Sequence, residues 1–286
     1  MYKLEGLNNA NIKLLKDIHF ADEYKFKPNI KEVLNSNNFL KRILLWKNIK
    51  FLKVRDEYIG FIWFIKTDRT SYKINSIKVM DAFNSIEHYS LLLDAIKKNS
   101  TVSYYCKEHE QEYISFLRLG FQKRRVILEM SKPLKGLETL SEQSMLSFQN
   151  FIKNKDEKLR CEIQNQVFSD LSRAPINEED IYFEQCQKYY INEGCVFISY
   201  QGTPVGYGQI ITDNNKAYIV NFGILQEYRN KGFGKILLKY LLNRCYLLNY
   251  KEIYLKCNEK NSNALNLYKS MGFVHFDTTY ELYKIN

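Results

Sequence analysis

Apolar and polar residues change their period along this chain in an order that occurs twice. Runs rich in β-branched and aromatic residues at 51–55, 58–66 and 72–79 predict three strands, with helical stretches before them. Ile86, Leu91, Leu92, Leu93 and Ile96 then recur at helical spacing and predict a helix over 84–97. A strand at 102–106, a helix at 108–119 and a strand at 124–130 complete the first half. The second half repeats the order. Helices at 157–170 and 177–193 precede strands at 195–201, 205–212 and 216–224. A helix at 232–248, a strand at 252–257, a helix at 261–271 and a strand at 273–284 follow. The helix from 232 carries Phe233, Ile236, Leu237, Tyr240, Leu241, Cys245 and Leu248 on one wide apolar face. The expected fold is α/β, of the mixed α+β kind, in two similar domains.

Ser131-Lys132-Pro133-Leu134-Lys135-Gly136 carries the only proline and glycine between Gly120 and Pro175, so the division is placed at 1–135 and 136–286. Gly120-Phe121 echoes Gly272-Phe273 at an offset of 152 residues. The same offset sets His109 at the place of Asn261, Glu112 at that of Ala264 and Phe116 at that of Tyr268.

The chemistry concentrates at Arg229-Asn230-Lys231-Gly232-Phe233-Gly234, between the strand at 216–224 and the following helix. A glycine-rich turn that opens a helix presents unpaired N–H groups at the positive end of the helix dipole. Such a turn can hold a phosphate, and Arg229, Lys231 and Lys235 add three cations. Side chains at 232 and 234 would keep an anion away from the backbone. A P-loop is excluded, because Arg229 stands where its first glycine belongs and Ile236 where Ser or Thr belongs. A dinucleotide fingerprint is excluded by Leu237, where Gly or Ala is needed.

What remains is R-x-x-G-x-G between a strand and a helix. Downstream, Asn261-Ser262-Asn263-Ala264-Leu265-Asn266-Leu267-Tyr268-Lys269-Ser270-Met271-Gly272-Phe273 reads N-x-x-A-x-x-L-Y-x-x-x-G-F, and upstream Thr203-Pro204-Val205-Gly206-Tyr207-Gly208 reads as a hairpin turn feeding a strand. These three motifs, in this order over the second half, resemble the GNAT N-acetyltransferase superfamily. The resemblance implies a mixed, mostly antiparallel sheet flanked by helices, splayed between the strands at 216–224 and 252–257, with acetyl-CoA in the gap. By that resemblance Phe222, Gly223 and Ile224 hold the acyl carbonyl and pantetheine. Arg229, Asn230, Lys231, Gly232, Phe233, Gly234 and Lys235 hold the pyrophosphate, and Asn261 lies beside the cofactor arm. Tyr268 would protonate the leaving thiolate while a primary amine attacks the thioester directly.

Where some members of that family carry a basic Glu, this chain has Tyr218, a poor base at neutral pH. Glu227 and His275 lie near the motifs but are assigned no role, and a water chain remains the alternative. Phe168, Tyr182, Phe183, Tyr189 and Tyr190 are candidates either for the acceptor pocket or for the core. In the first half, Met80-Asp81-Ala82-Phe83-Asn84-Ser85 has neither glycine nor Arg nor Lys where the phosphate loop would be. The first half thus reads as a degenerate GNAT-like domain that lacks the CoA loop. Such a half can act as a built-in partner, making the protein a monomeric pseudo-dimer, or the protein can be a homodimer. A catalytically silent CoA-binding sensor or scaffold is the alternative function.

Composition narrows the remaining classes. The chain has 286 residues, 45% hydrophobic and 15% aromatic with 4 prolines, so it is globular and long enough for two domains. The six cysteines show no C-x-x-C spacing and no paired histidine, which argues against a metal or disulfide framework and suits a reducing cytoplasm. Lys3, Glu5, Asn8, Asn9 and Lys13 interrupt the first twenty residues, unlike a signal peptide, and no apolar run approaches membrane-spanning length. The formal charge is +10, but the lysines are interspersed with acidic residues and form no reader motif. Nucleic acid and membrane are therefore not expected partners; acetyl-CoA and an amine acceptor are.

Overall fold

The computed structural model describes residues 2–8, 11, 47–140, 145–169 and 174–286. The helical stretches expected ahead of residue 51 lie largely outside the described residues. The chain forms two compact units, Met1–Ile127 with Thr278–Asn286, and Leu128–Asp277. These differ from the division at 135/136 in two ways. The chain passes from one unit to the other inside a strand, and the last nine residues return to the first unit.

The first unit contains β1 (Tyr2–Gly6), β2 (Ile49–Val54), β3 (Glu57–Lys66), β4 (Ser71–Val79), α1 (Ile86–Leu93), β5 (Thr101–Lys107) and α2 (Gln111–Arg118), and it holds the start of β6 (Gln122–Pro133). The second holds the rest of β6 and β7 (Leu146–Asn150), α3 (Glu157–Val167), α4 (Glu178–Gln185), β8 (Tyr190–Tyr200), β9 (Thr203–Asp213), β10 (Lys216–Ile224), α5 (Phe233–Leu247), β11 (Glu252–Asn258), α6 (Ser262–Ser270) and the start of β12 (Val274–Ile285).

Strand order in the first unit is β1-β2-β3-β4-β5-β12, and in the second β7-β8-β9-β10-β11-β6. In each sheet the meander strands pair antiparallel and one pair is parallel, β4 with β5 and β10 with β11. The same order therefore occurs in both halves. The sixth strand of each sheet comes from the other half of the sequence: Thr279–Ile285 pairs with Thr101–Lys107 in register through the whole of β5. Tight turns set the meanders. Asn214 and Asn215 both have positive φ (45° and 60°) and close a two-residue β9–β10 hairpin, the geometry that matches strand twist.

In the second unit, alternation along β8 feeds two layers. Val196 and Ile198 pack with Leu237, Leu238, Leu241 and Leu242 of α5, while Cys195 and Phe197 pack with Ile163 of α3 and Ile181 of α4. α5 is buried along the apolar face read from the sequence.

Two expected helices are shorter in the structure. The helix placed at 177–193 starts at an Asn177–Asp180 capping box but stops at Gln185, because Tyr190-Ile191 already belong to β8 and Tyr190 pairs with Ile211. The helix placed at 84–97 spans Ile86–Leu93, capped by the Ser85 side chain and preceded by a 3-10 turn at Asp81–Phe83. β1 and β7 were not expected. β7 is a half-exposed edge strand of alternating burial, too short for its period to stand out. Ser131–Pro133, where the sequence placed the boundary, ends β6, and Leu134 is buried in the second core. Among the described residues no helix is long and apolar enough to cross a membrane.

Candidate functional site

The second unit carries a break in its sheet. The parallel register of β10 and β11 runs from Ala217–Ile253 to Ile219–Leu255 and ends there, although β10 continues to Ile224 and β11 to Asn258. On its other side, β10 is bulged against β9: Val220 pairs with Gln209, the next pair is Gly223 with Tyr207, and Asn221 between them has φ of 51°. A bulge re-aims the backbone groups that follow it. Phe222, Gly223 and Ile224 therefore lie where β10 has lost β11 as a partner.

The glycine-rich turn follows directly. Gly232 caps α5 in the left-handed region with φ of 81°, and a Cβ there would meet open space. Glycine is thus required at 232 by conformation, and the space above it is free for a ligand. The N–H groups of Lys235 and Ile236 donate to the Gly232 carbonyl at 3.0 and 3.2 Å, which starts the helix. The N–H groups before them stand outside its bonding, at the positive end of the dipole. Lys231 and Lys235 are exposed beside them. Arg229 is placed differently from a free cation: its Nε donates to the Ile224 carbonyl at 2.9 Å and its Nη2 to the Val167 carbonyl at 3.2 Å. It braces the end of β10 against the end of α3. Gly223 allows the same approach, since a Cβ there would stand 2.1 Å from Val167 Cγ1.

Across the parting lies α6. Asn261 caps it, its Oδ1 accepting from the Ala264 N–H at 3.2 Å. Tyr268 is buried, with its ring centroid 6.1 Å from that of Phe222 and 5.8 Å from that of Phe273. Its hydroxyl has no hydrogen-bond partner among the described residues. Burial, with the Cys257 thiol nearby, pushes its pKa well above the ordinary tyrosine value, so the phenol keeps its proton. α6 ends at Gly272 in the left-handed region, and the Phe273 N–H returns to the Tyr268 carbonyl at 3.0 Å.

Of the other sequence candidates, Glu227 and His275 are exposed. Tyr218 stacks on Tyr254 at 5.3 Å, where the two strands are still paired. Tyr182 and Phe183 project into solvent, so neither belongs to the core, and Phe168 borders a cavity of about 180 Å³ at the end of α3. Among the described residues no cluster of three or more His, Cys, Asp or Glu side chains is placed to hold a metal ion.

A buried polar group behind the bulge escaped the sequence reading. Arg160 of α3, 1% exposed, donates from Nε to Gln164 Oε1 at 2.6 Å and from Nη2 to Gln209 Oε1 at 3.0 Å, and its Nη2 also bonds Glu184 of α4. Gln209 Nε2 donates to Glu184 Oε1 at 3.0 Å, and Asn221 Nδ2 donates to Gln209 Oε1 at 2.9 Å. The available signal was Asn221, a residue depleted in strands and tolerant of positive φ, in the middle of an otherwise strand-like run.

The first unit shows the same parting without the equipment. β4 and β5 pair only from Ser71–Thr101 to Ile74–Tyr104. Phe116, at the place of Tyr268, is fully buried, with ring centroids 6.1, 4.9 and 4.6 Å from those of Tyr89, Tyr104 and Phe121. Glu112, at the place of Ala264, is buried and paired with Lys78 at 2.8 Å. Aromatic packing and a buried carboxylate both oppose an anionic ligand there.

A strand bulged and parted from its parallel neighbour, followed by a glycine turn capping a helix, forms a cleft with a helix N-terminus at its edge. Residues 164–273 match the sequence model of the Acetyltransferase (GNAT) family. The matched segment contains the β10–β11 parting, the glycine turn and α6. It is 36% identical over 66 residues to an N-alpha-acetyltransferase of Sulfurisphaera tokodaii, covering 23% of this chain and 40% of that protein. It is 38% identical over 61 residues to the spermine/spermidine N(1)-acetyltransferase of Bacillus subtilis, covering 21% and 40%. The chain thus spans about two fifths of the length of these curated relatives. Its fold is similar to that of a GCN5-related N-acetyltransferase from Sphaerobacter thermophilus, with a TM-score of 0.72 and 16% identity over 99% of this chain and 95% of that one. A tandem GNAT protein from the clavulanic acid biosynthesis pathway matches at a TM-score of 0.64 and 12% identity, over 99% and 98% of the two chains. At these identities the likeness is one of fold.

Proposed function

We propose that the second unit is an acetyl-CoA-dependent N-acetyltransferase that transfers its acyl group directly to a primary amine. The observation that carries this reading is the alignment of three features on one cleft: the β10–β11 parting, the open helix cap at Gly232, and the protonated, unpartnered phenol of Tyr268. The residues fit acetyl-CoA. The turn from Asn230 to Gly234, with Lys231 and Lys235, suits a pyrophosphate. The freed backbone of Phe222, Gly223 and Ile224 suits the acyl carbonyl and pantetheine amides, and Asn261 flanks the arm. Arg229 serves by bracing the turn. Bound acetyl-CoA supplies the activated acyl group as a thioester. The amine nitrogen forms the new C–N bond as the C–S bond breaks and loses its extra proton to water, the peptide N–H groups after the bulge stabilise the developing oxyanion, and Tyr268 gives its proton to the departing sulfur and regains one from solvent.

Both relatives named above carry the word acetyltransferase with a nitrogen position, which supports an amine acceptor. We assign residues 1–135 to a degenerate copy of the same domain and 136–286 to the active one by sequence. The matching strand order, and the positive φ of Gly120 (87°) and Gly272 (81°), support this. We also place the protein in the cytoplasm, with neither nucleic acid nor membrane as a partner, in keeping with six free cysteines. The test is an acetyl-transfer assay over a panel of polyamines, amino sugars, amino acids and peptide N-termini, with Tyr268→Phe as the control. Transfer that Tyr268→Phe lacks supports the reading. Tight acetyl-CoA binding without transfer to any amine would instead support the silent sensor, for which Tyr218 in the place of a basic Glu speaks.

A further inference from the structure

The buried group behind β10 has no part in holding the cofactor, yet it reaches the one backbone irregularity on which the site depends. Gln209 is fully buried and lies directly across from Val220, the last residue before the bulge. Its Oε1 accepts from both Arg160 Nη2 (3.0 Å) and Asn221 Nδ2 (2.9 Å), and its Nε2 donates to Glu184 Oε1 (3.0 Å). These three hydrogen bonds fit one orientation of the Gln209 amide. Asn221, held from its side chain, is the residue at φ of 51°.

Stability alone is a weak account of this arrangement. A buried ion pair such as Arg160–Glu184 is often no better than apolar packing of the same volume. Here it also leaves Arg160 Nη1 and the neighbouring Tyr207 hydroxyl buried without hydrogen-bond partners among the described residues. Such a group is retained where it fixes geometry. The first unit supplies the contrast. Its β4 is bulged at Asn75, between the pairs Trp63–Ser76 and Phe64–Ile74. Phe64, which faces Ile74 there as Gln209 faces Val220, is apolar, and both polar atoms of the Asn75 side chain are buried without partners among the described residues. Among the described residues, no side chain ties down the bulge of the unit without a phosphate turn.

We propose that Gln209, itself oriented by Arg160 and Glu184, is a positioning residue: through Asn221 it fixes the bulge and aims the N–H groups of Phe222–Ile224 at the acyl carbonyl. This rests on the acyl-transfer reading above. Gln209 touches neither substrate nor reacting atoms and acts through the backbone of β10.

The test compares CoA with acetyl-CoA by calorimetry, which needs no acceptor. The two ligands share the pyrophosphate and pantetheine and differ in the thioester carbonyl. Wild-type protein is expected to prefer acetyl-CoA by about fivefold, the size of one net hydrogen bond. Gln209→Leu is expected to bind CoA as wild type does and to lose the preference. Asn221→Gly keeps the left-handed backbone while removing the side chain that reaches Gln209, so it should behave likewise even if Gln209→Leu does not fold. Faster amide exchange confined to 220–224 in either variant is the accompanying signature. A preserved preference in Asn221→Gly, an equal loss of affinity for both ligands, or a wild-type ratio near one would overturn the proposal. Wild-type protein that binds neither ligand would instead contradict the acyl-transfer reading itself.

Discussion

Gly223 of β10 and Val167 of α3 approach so closely that a Cβ on the glycine would stand 2.1 Å from Val167 Cγ1. The contact joins the end of α3 to the strand segment that has parted from β11, and Arg229 reinforces it by donating to the carbonyls of Ile224 and Val167. Gly223→Ala should therefore destabilise the protein by about 1–3 kcal/mol through overpacking. Gly223→Ala combined with Val167→Ala should recover part of that loss, because the two sites are coupled. Denaturant unfolding of the four proteins measures this, and strict additivity would mean that the helix end simply moves aside.

Tyr268→Phe separates chemistry from binding. The hydroxyl has no partner among the described residues, so its loss should leave stability within about 0.5 kcal/mol and acetyl-CoA affinity within about twofold. The turnover number should fall by roughly a hundredfold or more, the usual worth of a placed general acid. Unchanged turnover would remove Tyr268 from the mechanism.

The pH profile follows from the direction of its shift. Burial raises the Tyr268 pKa, so the acid form persists to higher pH than in a free tyrosine, whose pKa is about 10. Activity should therefore show no alkaline loss from this group below about pH 10. An alkaline limb near pH 8 that disappears in Tyr268→Phe would contradict the assignment.

Truncation tests how the sequence is partitioned. A fragment of 136–286 lacks the part of β6 that lies next to β11, including Met130 of the core and the Glu129–Lys256 ion pair at 3.1 Å. It also retains Thr278–Asn286 without the unit to which those residues belong. The fragment should be insoluble or unable to fold cooperatively, as judged by size exclusion and a thermal melt. A soluble, active 136–286 would make the first half dispensable.

The long elements were legible because their periods are long: the face of α5, the runs of β3, β9 and β10, and the Gly-Phe pairs that end α2 and α6 all stand out in a single sequence. The glycine turn was legible because Gly232 answers a conformational need that few other residues meet. What escaped depends on distant pairing. β1 and β7 are five-residue edge strands with weak alternation. The exchange of β6 and β12 is a matter of which half a strand pairs with, and local pattern carries no such information. Arg229 reads as a cation in sequence, yet its guanidinium is engaged by two carbonyls. The Arg160–Glu184–Gln209–Asn221 group draws on two helices and two strands, and Asn221, inside a strand-like run, is the one member that stands out alone.

The most direct measurement is acetyl-CoA binding by calorimetry to wild-type protein and to a Gly232→Asp, Gly234→Asp variant. A carboxylate at the cap of α5 repels a pyrophosphate and takes the space above Gly232. The account predicts binding at one acetyl-CoA per chain, since the first unit has no phosphate turn, and loss of that binding in the variant. Wild-type protein that does not bind acetyl-CoA, or a variant that binds it equally well, would contradict it.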